Sequence, residues 1–354
     1  MSSISLTFDD ISLIPRLSTI KSRTEVQLHT VLGTIRPLCL RLPIISAPMD
    51  TVSSPALAAA LSDAGGICIL HRYMSIEEQA GQVAAARSLA SDKERFQVGG
   101  AVGATGDFLE RAAALVAAGA KVVCVDMAHG HSYVARDAIM AVRAAHPDLH
   151  IMAGNIATAE AYTDLAAWGA DSLRVSIGSG SCCETRVNTG HGVPALHSVM
   201  DVAQNAVTSG YKPNGRPIYP AGIILDGGIR NPGDIVKALA VGAQAVMMGS
   251  MFAGTDESPG RRISINGTEK IVFRGMASPE SQLEWRGYVG SDEGTSHYVD
   301  PKGPVQAVID KIVNGVRSGL SYSGAFSIED FHNKAKFVQQ TVAGLVEGKP
   351  HIRL

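Results

Sequence analysis

The chain is expected to fold as a single (β/α)8 barrel over residues 1–354, and three observations carry that expectation. Eight short apolar runs recur, at 42–49, 66–71, 96–103, 121–127, 150–156, 171–178, 221–228 and 243–250. Helical patterns lie between them. Polar and glycine residues gather at the C-terminal ends of the runs, the face on which such barrels build their active sites.

Each element has a local cause. The runs are rich in Val, Ile and Ala with little alternation, as for strands buried on both faces. Helical patterns follow at 54–63, 75–89, 107–118, 133–145, 158–168 and 232–240. Ser75 and Glu78 form a capping box, and Asn231 precedes Pro232 and Gly233 in a second helix-start pattern. Gly65, Gly119, Gly169 and Gly242 stand where helices stop. Residues 1–41 precede the first strand and should cover the bottom or side of the barrel. The polar, glycine-bearing stretch from 253, with a flap at about 255–302, separates the eighth strand from a last helix at 304–318. A connection that long in a compact barrel is expected to be a functional lid. From Ala325 the chain reads as a partly helical appendage, and no linker composition marks a second domain.

Composition narrows the function. Hydrophobic residues make up 45% and glycines number 37, while aromatics are only 5%, which suits closely connected parallel strands and helices. The net charge of -2 and the lack of a Lys/Arg run argue against nucleic-acid binding. The N-terminal segment has no basic region followed by an apolar core, and no run of about eighteen apolar residues suits a membrane span. Five cysteines, at 39, 68, 124, 182 and 183, form no disulfide framework. An odd, unpatterned set indicates a reducing compartment, so a cytoplasmic location is expected. Cys68 and Cys124 lie inside strand-like runs and read as core.

The loop Ile177-Gly178-Ser179-Gly180-Ser181-Cys182-Cys183-Glu184-Thr185-Arg186 carries the strongest chemical signal. A glycine-rich loop leaves backbone groups free to hold an ion, and a thiol at its tip can attack an electrophilic carbon. Only one of the adjacent cysteines can face an open site. Asp226-Gly227-Gly228 and Met248-Gly249-Ser250 end the seventh and eighth runs, where barrels commonly hold phosphate, and Ser181 could add a hydroxyl. Asp226 suits ribose hydroxyls, and Asp126 a cofactor amide or ribose. His129 and His131 lie beside Asp126, but no second cluster completes a metal-ligand set. No Gly-x-Gly-x-x-Gly opens a βαβ unit. Thr185, Glu184 and Glu257 are candidate proton carriers, and Glu257 is favoured by its place after the eighth strand.

The chain resembles the IMP dehydrogenase and GMP reductase family across nearly its whole length. The resemblance rests on Leu6-Thr7-Phe8-Asp9-Asp10, Ser46-Ala47-Pro48-Met49-Asp50-Thr51-Val52, Ala128-His129-Gly130-His131-Ser132, Ala153-Gly154-Asn155, the cysteine loop, Asp226-Gly227-Gly228-Ile229-Arg230 and Arg274-Gly275-Met276. It implies that Cys183 is the nucleophile toward C2 of a purine, because the family loop reads Gly-Pro-Gly-Ser-x-Cys-Thr-Thr-Arg. It further implies a purine nucleoside 5′-monophosphate held by Met49, Asn155, Ser181, Asp226, Gly228, Gly249, Ser250, Arg274, Gly275 and Met276. The nicotinamide cofactor, NADPH with NAD+ as the alternative, would meet Asp126, Ala128, His129 and Gly178. Carbonyls of Gly178, Gly180 and Cys183 would match a potassium site, and a homotetramer is implied.

The member of the family is read from differences. Residues 91–95 join directly to the third strand, where dehydrogenases usually carry a paired CBS domain. The flap reads Arg286-Gly287-Tyr288, not the Arg-Tyr pair with which dehydrogenases activate water. Residues 18–23 and 189–192 are similar to reductases, whereas 227–230 and 253–260 are similar to dehydrogenases. Ser179, Glu184, Arg72 and Phe273 depart from the family pattern. The expected activity is reductive deamination of GMP, or a close 2-aminopurine nucleotide, to IMP and ammonia, with Thr185 and Glu257 moving the protons. The alternatives are oxidation of IMP to XMP, a purine-nucleotide-binding regulator without catalysis, and a flavin-dependent barrel.

Overall fold

The computed structural model describes residues 4–206, 208, 210 and 219–350. Its eight parallel strands are β1 (Ile44–Ser46), β2 (Ile67–Leu70), β3 (Val98–Val102), β4 (Val122–Asp126), β5 (His150–Ile156), β6 (Ser172–Val175), β7 (Gly222–Asp226) and β8 (Ala245–Met248). They pair in order, and β8 closes on β1 through Met247 opposite Ile45. All eight expected strands form, each inside or coincident with its apolar run.

The missing alternation has a direct cause. Ile45, Ile67, Ile69, Val122, Cys124, Met152, Ile224 and Met247 fill the barrel interior. Their strand neighbours Ile44, Cys68, Leu70, Val123, Val125, Ile151, Ile223 and Val246 pack outward into the core shared with the helices. Both faces are dry, so both are apolar.

The helices are α1 (Pro55–Ala64), α2 (Ile76–Leu89), α3 (Phe108–Ala118), α4 (Tyr133–Ala145), α5 (Ala159–Ala167), α6 (Ala195–Asn205), α7 (Pro232–Ala240) and α8 (Val305–Tyr322). The Ser75 capping box forms at α2, and Asn231 caps α7 with Pro232 in its first turn. Gly65 and Gly119 end α1 and α3 with left-handed backbone. Helix α6 was not among the patterns read from the sequence. It begins behind Pro194 without a side-chain cap, so it carries no start signal.

Residues before β1 form a hairpin, Thr30–Leu32 with Leu38–Leu40, whose Leu32, Leu38 and Leu40 enter the interior cluster. The hairpin closes the bottom, as expected. The C-terminal appendage is partly helical and returns as Phe337–Gln339, antiparallel to Ile11–Leu13. After β8 the flap folds as a three-stranded antiparallel sheet, Arg262–Ile265, Thr268–Arg274 and Ser296–Val299, with the helix Pro279–Arg286 inserted. Among the described residues no helix is long and apolar enough to cross a membrane.

Candidate active site

A cavity of about 540 Å³ opens at the C-terminal mouth of the barrel, between the strand ends and the flap. Met49, Asp126, Ala128, Asn155, Gly178, Gly180, Ser181, Cys183, Thr185, Asp226, Gly228, Gly249, Ser250, Gly275 and Met276 all line it. These fifteen residues come from seven separate stretches of chain, which the barrel strand ends and the flap bring to one mouth.

The cysteine loop follows β6. Gly178 turns with φ 77, and a Cβ there would lie 2.5 Å from Cγ of Arg186, so only glycine fits. Arg186 braces the loop by donating from Nε to the Ile177 carbonyl at 3.1 Å and from a terminal nitrogen to Ser179 Oγ at 2.8 Å. The two cysteines diverge. Cys182 is buried, its Sγ turned toward the Phe273 carbonyl, and burial pushes its thiol up to about 12. Cys183 faces the cavity. Its Sγ donates to Thr185 Oγ1 at 3.2 Å, and Thr185 Oγ1 donates to Glu293 Oε2 at 2.8 Å.

Glu293 arrives from the flap. Its carbonyl accepts the Glu184 N–H at 2.8 Å, and Thr295 N–H donates to the Cys182 carbonyl at 3.0 Å. The flap therefore docks on the cysteine loop as an antiparallel bridge. Glu293 was not among the residues picked from the sequence. Only its place 108 residues from Thr185, across a folded flap, makes it relevant.

Glu257 lies elsewhere, contrary to expectation. Its Oε2 accepts the Val305 N–H at 2.8 Å, so the carboxylate caps the start of α8 and does not line the cavity. A carboxylate there is favoured by the free N–H groups and the helix dipole. Arg274 also misses the cavity. Asp50 Oδ2 accepts from its Nε and one terminal nitrogen at 2.9 and 2.7 Å, and Glu284 accepts a further bond. The guanidinium thus ties flap to barrel. His129 is exposed and outside the cavity lining, while His131 Nε2 meets Asp164 Oδ2 at 2.8 Å.

A buried charge, Arg174 on β6, also lines the cavity, and the sequence reading does not include it. It bridges Asp126 and Asp226, with its Nε 3.0 Å from Asp226 Oδ2. Burial opposes its charge, but the two carboxylates outweigh that and hold it firmly protonated. Asn155 Nδ2 donates to the same Asp226 oxygen at 2.7 Å. Asp226 Oδ1 carries no bond among the described residues, which leaves it for ligand hydroxyls. Gly249 has no room for a side chain: a Cβ would lie 2.6 Å from Met49 Sδ.

The ion expected on the loop would need oxygen donors. The carbonyls of Gly178 and Cys183 accept no hydrogen bond among the described residues, and that of Gly180 accepts the Cys183 N–H at 3.1 Å. Such a set suits a hard monovalent cation.

Residues 5–351 match the model of the IMP dehydrogenase / GMP reductase domain. The inosine-5′-monophosphate dehydrogenase of Nitrosopumilus maritimus is 33% identical, with 98% of both chains covered. The GMP reductase of Leishmania major is 32% identical over 98% of this chain and 96% of that one. A crystal structure of GMP reductase from Trypanosoma brucei in complex with guanosine 5′-monophosphate superposes with a TM-score of 0.90 at 30% identity. It covers 100% of this chain and 99% of that chain.

Proposed function

The chain belongs to the IMP dehydrogenase / GMP reductase family, and we propose that within it the protein is a GMP-reductase-like enzyme. The family consists of oxidoreductases of purine nucleotide metabolism that use nicotinamide cofactors, and this chain is one of them. The finer reading is reductive deamination of GMP to IMP and ammonia with NADPH. One observation carries it: the direct chain of contacts Cys183–Thr185–Glu293 runs from a thiol through a hydroxyl to a carboxylate.

The steps balance along that chain. The Cys183 proton passes through the Thr185 hydroxyl to Glu293, and the thiolate adds to C2 of the purine. The 2-amino group needs one proton to leave as ammonia, and Glu293 returns it by the same route. Sulfur remains bonded to C2. The nicotinamide, when bound, supplies a hydride to C2. The C–S bond then breaks toward sulfur, IMP is formed, and the departing Cys183 thiolate takes one proton from solvent to restore the thiol. Ser181, Gly228, Gly249 and Ser250 would hold the 5′-phosphate and Asp226 the ribose. Asp126, Ala128 and Gly178 would face the nicotinamide. A potassium ion on the loop carbonyls and a homotetramer remain part of this reading, as does a barrel without a regulatory insert, since α2 passes to β3 through residues 90–97 alone.

Oxidation of IMP is the second reading. Arg286 lines the cavity with its guanidinium 4.6 Å from the Tyr288 ring centroid, so an Arg-Tyr contact exists despite the intervening glycine. Tyr288 itself is 60% exposed and lies outside the cavity lining, which favours the reductase. A panel of purine monophosphates with reduced and oxidised nicotinamide cofactors, followed at the nicotinamide absorbance, separates the two. GMP with NADPH should turn over fastest.

A further inference from the structure

Glu293 sits on a stretch, 287–294, that has almost no regular secondary structure of its own. Something else must hold it, because an irregular segment leaves backbone groups without ladder partners. The bridge to the cysteine loop, with Asn188 donating to the Asp292 carbonyl, holds its far end, and one side chain holds its near end. Gln282, on the flap helix Pro279–Arg286, is 1% exposed. Its Oε1 accepts the N–H groups of Gly290 at 2.9 Å and Ser291 at 3.3 Å, and also a bond from Arg286. Its Nε2 donates to the carbonyls of Ala277 at 2.8 Å and Ser291 at 2.5 Å. Both backbone groups of Ser291 are thus held by one amide. Gly290 is part of the fit, since a Cβ there would lie 2.4 Å from the Arg286 guanidinium.

We propose that Gln282 is a positioning residue for the proton relay: it fixes Gly290 and Ser291, and through them sets Glu293 against Thr185. The inference rests on the reading of Glu293 as the proton carrier. The chemistry requires an amide. Alanine would take this partner from four backbone groups, the N–H of Gly290 and Ser291 and the carbonyls of Ser291 and Ala277. Glutamate would keep the acceptor but turn a second oxygen toward the Ser291 and Ala277 carbonyls. A carboxylate displaced by about 1 Å loses on the order of 10²-fold in rate, whereas a residue needed only for folding would not act through Glu293.

The test is a double-mutant cycle in the full-length enzyme. Gln282→Ala should lower kcat at least tenfold, with the KM for the purine nucleotide changed less than threefold and the unfolding temperature measured alongside. In a Glu293→Gln background, Gln282→Ala should cost nothing further. Hydrogen exchange at residues 290–293 should rise in Gln282→Ala while exchange in the barrel strands stays as in the parent. An undiminished kcat, or an equal loss in both backgrounds, would overturn the positioning role. If Glu293→Gln itself is fully active, the assignment of Glu293 fails first and the positioning role falls with it.

Discussion

Thr185 Oγ1 donates to Glu293 Oε2 at 2.8 Å while accepting from the Cys183 thiol, so one hydroxyl joins a barrel loop to the flap. The carboxylate is brought to the site by the flap, which docks on the cysteine loop. If Glu293 carries the proton as proposed, the flap supplies part of the proton path to the barrel loop.

Cys183→Ala should abolish turnover and leave nucleotide binding intact. Cys182→Ala should retain activity, because its buried thiol, pushed up to about 12, stays protonated at neutral pH and faces the wall. Steady-state rates and GMP binding by calorimetry check both. Activity surviving in Cys183→Ala but not in Cys182→Ala would mean that the loop register is reversed.

Glu293→Gln should slow turnover roughly 10²–10⁴-fold, the range for loss of a general acid–base group. Glu257→Ala should leave kcat unchanged and destabilise the fold by about 1 kcal/mol, through loss of its contact at the start of α8. Rates and chemical denaturation on the two variants distinguish a proton carrier from a helix cap.

Asp226→Ala should do two things. Removing one carboxylate from the buried Arg174 pair costs about 3–5 kcal/mol of stability. Losing charge-assisted bonds to ribose weakens nucleotide binding by about 1.5–3 kcal/mol. Unfolding curves with and without GMP separate the terms. A variant that binds the nucleotide as tightly as the parent would remove Asp226 from the ribose site.

His71, buried behind the cavity near Asp50 and Arg274, has its pKa lowered by burial from 6.5 to about 4. The unfolded chain therefore takes up a proton before the folded one does. Its contribution to stability is fully present above pH 6.5, declines as pH falls through 6.5, and is lost by about pH 4. His71→Gln should flatten the stability curve over that window relative to the parent. An unchanged slope would show that His71 charges freely in the folded state.

The sequence made the barrel legible because its signals are local: two-sided apolar runs, caps such as Ser75 and Asn231, and stops such as Gly65. Cys183, Thr185, Asn155 and Asp226 were legible because strand ends converge by topology. Glu293 was not, since its partner lies across a folded flap and no periodicity announces it. Arg174 hides inside an apolar strand run, where its two carboxylate partners come from other strands. Glu257 and Arg274 were misplaced for a related reason: position after β8 brings a residue near the mouth, but competing partners, the Val305 N–H and Asp50, decide where its side chain goes.

In the proposed reaction a hydride passes from NADPH to C2 of the purine held as a Cys183 adduct. This transfer is tested by measuring NADPH oxidation and ammonia release together, with GMP as substrate, beside NAD+ reduction with IMP. One ammonia per NADPH oxidised is expected, with a slower or absent reaction with IMP and neither signal from Cys183→Ala. Vigorous IMP-dependent NAD+ reduction with no GMP-dependent NADPH oxidation would contradict it.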